Sequence, residues 1–171
     1  TYGTNGIPVP SPVIVNLIDT ALIRKDVEKT KALGVDEIIV FIHWGNEYET
    51  NPSKTQIKLA EFMKGLGVRI IIGSHPHVVQ RMEATFDTDS TTGQVVVYSL
   101  GNFVSNQRKR YCNGGVVSFV QLSKNNVGKT QITKTGYIPV WVHIPFRDLK
   151  RLYQVLPIAE YESISKQYFS S

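Results

Sequence analysis

Three features of the 171-residue sequence predict an α/β fold with a parallel β-α-β first half and a mostly antiparallel second half. Short β-branched runs alternate with amphipathic helical stretches up to residue 80, the grammar of parallel strands joined by covering helices. After residue 80 the helical period disappears and strand-like stretches follow one another across turns. Two apolar strands of the first half, at 37–42 and 68–72, run straight into histidines. In α/β proteins the carboxyl edge of the sheet is where sites form.

Thr1 to Pro12 is rich in Gly, Pro and Thr and reads as turns, so the domain is expected to start upstream of Thr1. Val13 to Ile18 reads as a short strand. Asp19 or Thr20 caps a helix over 21–33, with Leu22, Ile23, Val27 and Leu33 as its apolar stripe and Gly34 as its stop. Glu37 to Ile42 is the next strand, after which His43-Trp44-Gly45 opens a polar loop. Pro52 begins a second helix carrying Ile57, Leu59, Ala60, Phe62, Met63 and Leu66, closed by Gly67. Val68 to Ile72 reads as a strand covered on both faces. Gly73 is expected to end it in a sharp turn, and Pro76 to hold His75 extended, so that His75 and His77 leave a stiff loop. Such β-α-β connections are right-handed and leave neighbouring strands parallel.

In the second half, Arg81 to Phe86, Val95 to Leu100, Gly115 to Leu122 and Thr130 to His143 read as strands of an antiparallel sheet. Asp87 to Gln94 and Lys124 to Gly128 are the turns between them. Trp141 and His143 fall on one face of the last strand, with His143 at an edge or the surface. Tyr161 to Phe169 reads as a closing helix, and no internal repeat is present.

A hydrophobic content of 42% over this length suffices for one sizeable core, and no apolar run approaches the roughly 20 residues that span a bilayer. The chain is expected to be soluble. Its one cysteine, Cys112, excludes an internal disulfide and fits no metal spacing, so it reads as a partly buried thiol. The net charge of +5 suits an anionic partner, with Arg108, Lys109 and Arg110 beside Arg147, Lys150 and Arg151 as candidate contacts; the same residues also read as solvated loops. Nucleic acid is not expected, since aromatic and basic residues do not interleave and no helix-turn-helix or zinc-finger spacing occurs.

His43, His75 and His77 supply imidazoles from the ends of two strands, the residue type and placement that suit a divalent metal. Each alone also reads as a hydrogen-bonded loop histidine. Glu47 reads either as a partner that orients an imidazole or moves a proton, or as a solvent-facing carboxylate.

His43-Trp44-Gly45-Asn46-Glu47-Tyr48, then Pro52 and Gln56, then Gly73-Ser74-His75-Pro76-His77-Val78, then Tyr98-Ser99-Leu100-Gly101-Asn102-Phe103 occur in that order. This series resembles the CapA family of capsule and poly-γ-glutamate biosynthesis proteins over about residues 1–122. The resemblance implies an α/β sandwich of the calcineurin-like metallophosphoesterase type, with two divalent ions, Mn, Fe or Zn, at the strand ends. It implies that His43, His75 and His77 are metal ligands, with one of the His-x-His pair serving each ion. Glu47, Tyr48 and Asn102 would line or brace the pocket, Glu47 and Asn102 as catalytic groups and Tyr48 with Arg108, Lys109 and Arg110 as substrate contacts. The substrate side would be an anionic polymer, poly-γ-glutamate or a capsule precursor, handled in a capsule synthesis complex by a membrane-anchored, extracytoplasmic parent protein.

The family's early Gly-Asp and Asn-Asn-His motifs are absent, so residues 1–171 are expected to be the C-terminal part of one such domain. A two-metal centre needs about seven protein donors, which leaves weak or no metal binding by this chain alone. An unpaired sheet edge would then favour association with a copy of itself or another chain. The resemblance allows two functions: a metal-dependent phosphoesterase-type hydrolase, or a noncatalytic polyanion-binding subunit that aids polymer export or anchoring.

Overall fold

The computed structural model describes residues 2–4, 6–86 and 93–158. The turn expected over Asp87 to Gln94 falls mostly outside the described residues, as does the helix expected over Tyr161 to Phe169.

Two helices and nine strands are formed among the described residues. Helix α1, Thr20–Ala32, starts where the Asp19 carboxylate accepts the Ala21 and Leu22 backbone N–H groups at 2.7 and 3.2 Å. Helix α2, Lys54–Gly65, starts with a reciprocal capping box, Ser53 bonding the Gln56 backbone and the Gln56 side chain bonding the Ser53 backbone. Strands β1, Ile39–His43, and β2, Ile70–Ser74, pair in parallel, with Ile42 opposite Gly73 and His43 opposite Ser74. That register sets the expected histidine loops side by side.

The first sheet also takes in residues from the second half. Strands β3, Met82–Phe86, and β4, Gly93–Val97, complete the order β1-β2-β4-β3, with β4 parallel to β2 and antiparallel to β3. Expectation had placed Val95 to Leu100 in the antiparallel sheet. Val95, Val96 and Val97 are apolar on every residue, and such a strand is satisfied only where both faces are covered, at a central position.

One face of this sheet packs Val40, Ile42, Ile71 and Val96 against Ile23, Val27, Leu59 and Met63 of the helices. The other face packs Ile70, Val95 and Val97 against Ile132 of the second sheet. That sheet contains β5, Gly114–Lys124, β6, Thr130–His143, and β9, Gln154–Pro157, in antiparallel order β5-β6-β9. A small hairpin, β7 at Phe146–Arg147 with β8 at Lys150–Arg151, projects between β6 and β9. Helices, mixed sheet and antiparallel sheet thus form the layers of a partial α/β sandwich.

Several local expectations change. Val13 to Ile18 forms no strand, and Ile14 is 91% exposed; apolar composition does not by itself supply a pairing partner. Leu33 lies beyond the end of α1 and is exposed instead of completing its stripe. His143 lies on the central strand β6 and is half-buried, not at an edge. Cys112 is wholly buried, and burial pushes its thiol pKa up. Gly73 does not end β2 but lies inside it: a Cβ there would collide with the Tyr98 carbonyl and the Trp44 indole. Glycine is needed for close approach, because Trp44 Nε1 donates to the Tyr98 carbonyl at 2.9 Å across that position. Among the described residues no helix is long and apolar enough to cross a membrane.

Candidate metal centre

The carboxyl ends of β1 and β2 carry the three histidines into one cluster. The His43 and His75 ring centroids lie 4.5 Å apart, and those of His75 and His77 5.9 Å apart. Donor atoms of Glu47, His75 and His77 all lie within 4.8 Å of one another. Ligands at about 2.0–2.1 Å in a tetrahedral shell are separated by roughly 3.4 Å, so a small closing movement would bring these three onto one ion. Glu47 therefore stands with two of the histidines, and His43 stands beside His75 and lines a hollow of about 400 Å³ with Trp44 and Gln56.

The loop reaches this arrangement by a route that proline chemistry alone did not predict. His75 has φ of +109°, His77 +62° and Tyr48 +69°, where an extended His75 was expected. Pre-proline sterics exclude the α region without choosing among the conformations that remain. Tertiary contacts choose: Leu100 N–H bonds the Gly73 carbonyl at 3.2 Å, and Tyr48 N–H bonds the Pro76 carbonyl at 2.7 Å. Each such side-chain-bearing residue at positive φ costs on the order of 1–3 kcal/mol, a strain typical of functional loops.

Asn102 sets the tautomer of His77. Asn102 Nδ2 donates to Gln107 Oε1 at 3.0 Å and to the Cys112 carbonyl at 2.8 Å, which turns Oδ1 toward His77 Nδ1 at 3.0 Å. With Oδ1 as acceptor, Nδ1 carries the proton and Nε2 is left with its lone pair. Nε2 faces Glu47 Oε1 at 3.9 Å. Burial lowers the pKa of His43 and of His75, and neighbouring imidazoles add to the effect, while the Glu47 carboxylate opposes it at His75. Neutral imidazoles are what a metal requires.

Tyr48 stacks on His77 with centroids 6.1 Å apart, and its hydrogen bond to Glu47 raises the phenol pKa. Lys109 places Nζ 3.6 Å from the Tyr48 ring centroid, so one member of the basic cluster joins the rim. Arg110 lies over Tyr111 instead, and Arg108 is exposed. Arg151 reaches Asn106 at 3.3 Å, which brings the β7-β8 hairpin to the same loop. A larger groove, about 1340 Å³, lies elsewhere, along Arg81, Trp141 and His143. It includes neither the three clustered histidines nor Glu47. Donor chemistry, not cavity size, locates the site.

Sequence reasoning missed Gln80, a buried side chain in the wall of the 1340 Å³ groove, and gave Gln56 no role. Their signal was faint: a glutamine closing the apolar run Val78-Val79, and another at the third position of a helix.

The family model described as bacterial capsule synthesis protein PGA_cap matches residues 2–107. A relative named PGA biosynthesis protein CapA, from Bacillus subtilis, is 35% identical over 108 residues, covering 63% of this chain and 26% of that protein. Capsule biosynthesis protein CapA from Bacillus anthracis is 43% identical over 83 residues, 48% of this chain and 18% of its own length. The matched stretch thus spans about a quarter or less of these relatives.

Proposed function

The chain belongs to the bacterial capsule synthesis protein family PGA_cap, and on that premise we propose that Glu47, His75 and His77, with His43 alongside, are ligands of a divalent-metal centre in a phosphoesterase-type hydrolase of capsule or poly-γ-glutamate assembly. The observation that carries this reading is the mutual approach, within 4.8 Å, of a carboxylate from one loop and two imidazoles from another. The donor set fits: imidazole with carboxylate suits Mn, Fe or Zn better than the harder Mg or Ca. A bound ion of this kind polarises a phosphoryl oxygen and lowers the pKa of a coordinated water.

The chain's own groups have separable tasks. Asn102 holds His77 with Nε2 directed at Glu47, as an outer partner that sets ring orientation. Tyr48 covers one face of His77 beside the Glu47 carboxylate. Lys109, at the rim, supplies a positive charge for an anionic substrate. Three or four donors fall short of a two-metal set, so this chain by itself should bind a single Zn(II) weakly, and hydrolysis is expected of a protein of the relatives' full length. The test is Zn(II) calorimetry on the chain with Glu47→Gln and His77→Ala, beside phosphoester hydrolysis by a full-length protein. Zn(II) binding that is indifferent to both substitutions overturns the ligand assignment.

A second reading has its own support. Lys109 over Tyr48, Arg110 over Tyr111 and Arg151 on Asn106 gather basic groups around this loop, a surface suited to a noncatalytic polyanion-binding subunit. Loss of poly-γ-glutamate binding in a Lys109→Ala/Arg110→Ala variant, with no hydrolysis by any form, would favour it.

A further inference from the structure

Glu47 is exposed, yet its carboxylate faces His77 from a loop that lacks a helix or strand of its own. Something must hold that loop down. One anchor is the Tyr48 N–H bond to the Pro76 carbonyl. The other is a pair of buried amides, Gln56 and Gln80, each 2% exposed.

Gln80 Nε2 donates to the Glu49 carbonyl at 2.8 Å and to the Asn51 carbonyl at 3.2 Å. Its Oε1 accepts from Gln56 Nε2 at 2.9 Å, and Gln56 Oε1 accepts from the Ser53 N–H at 2.9 Å. Each amide orientation is therefore dictated by its neighbours. The chain of bonds runs from the residue three after His77 to carbonyls two and four after Glu47. Gly45, at φ of +86°, makes room for it: a Cβ there would fall 2.6 Å from Gln56 Cδ.

We propose that Gln56 and Gln80 are positioning residues, a buried amide clasp that holds the Glu47 loop against the His75–His77 loop. Their hydrogen bonds run to each other and to the loop backbone at Glu49, Asn51 and Ser53, so both act through that backbone. Glu49 and Asn51 are exposed, so without the clasp their carbonyls turn to water and the loop lifts, with the core left in place. The proposal rests on the metal-centre reading only for its second readout.

The experiment compares Gln80→Met, the milder Gln56→Met, which leaves both Gln80 bonds to the loop, and a stability control, Ile132→Val, in the core against the second sheet. Hydrogen exchange of the Tyr48 amide in metal-free protein reads the loop, and Zn(II) calorimetry reads the centre. In Gln80→Met, Tyr48 exchange should rise at least roughly tenfold while β1 and β2 amides keep wild-type rates, and Zn(II) affinity should fall roughly 10–100-fold, as for loss of an outer partner. Gln56→Met should lie between, and it decides the matter by the same readouts where Gln80→Met does not fold. Unchanged Tyr48 exchange in the glutamine variants, or equal acceleration in Ile132→Val, overturns the clasp. Selective Tyr48 release in the glutamine variants, beside a wild type that binds no Zn(II), upholds the clasp and overturns the metal reading.

Discussion

Two ring pairs in this molecule share the same i, i+2 spacing and reach proximity in different ways. Trp141 and His143 lie on the regular strand β6, where alternate side chains share a face, and their centroids are 4.9 Å apart. His75 and His77 stand 5.9 Å apart on a loop where both residues have positive φ. The strand pair costs nothing beyond ordinary sheet formation. The loop pair stores backbone strain and is held by Asn102 on His77, by the Tyr48 N–H on the Pro76 carbonyl and by the Leu100 N–H on the Gly73 carbonyl, all three partners remote in sequence. Proximity of rings is therefore common, and what distinguishes a chemical site is the set of partners that keeps a strained arrangement in place.

The comparison breaks most sharply at the donors. His77→Ala should weaken Zn(II) binding beyond the roughly 10–100-fold typical of an outer partner, while His143→Ala leaves it unchanged. Equal losses in calorimetry would show that the strand pair serves the metal as well. Asn102→Ala should fall next, within that 10–100-fold range, because His77 loses the acceptor that selects its tautomer.

Backbone geometry sharpens the contrast by a smaller amount. Gly73→Ala should destabilise the fold by about 1–3 kcal/mol in urea denaturation, since the new methyl group meets the Tyr98 carbonyl and the Trp44 indole. Gly65→Ala, near the end of α2 with open space around it and no positive φ, should instead stabilise by about 0.4–1 kcal/mol. The smallest effect concerns the strand edge beside His43. Tyr2 donates its hydroxyl to Asp26 at 2.8 Å, and burial with that bond raises its pKa to about 12. A raised folded pKa stabilises the neutral form, so the contribution is full below pH 10.0, the unfolded value, and declines as pH rises toward 12. Stability measured from pH 9 to 12 should drop less steeply in Tyr2→Phe than in wild type.

Much of the architecture was legible because it rests on local signals. The Asp19 cap, the Gly34 and Gly67 stops and the apolar faces of α1 and α2 are all readable within one or two helical turns. The strands before His43 and His75 were legible as β-branched runs. Val95 to Val97 was legible as a strand but not as a member of the first sheet, because nothing in its own residues names the strand it pairs with. Val13 to Ile18 shows the converse: an apolar run remains irregular when no neighbour completes its ladder. At the site, residue types and strand-end positions singled out His43, His75, His77, Glu47, Tyr48 and Asn102, whereas Gln80 carried almost no signal.

By itself, then, the sequence determined which residues could do chemistry and on which strand ends they stand, since composition, periodicity and capping act over a few residues. Tertiary structure alone decided that Glu47 approaches His77, that His75 and His77 converge, and that Gly73 serves close packing. Those outcomes depend on hydrogen bonds between segments 25 to 54 residues apart, such as His77 with Asn102 and Trp44 with the Tyr98 carbonyl. A strained φ or a buried amide is tolerated only when such distant partners are in place, and a local stretch of chain carries no record of them.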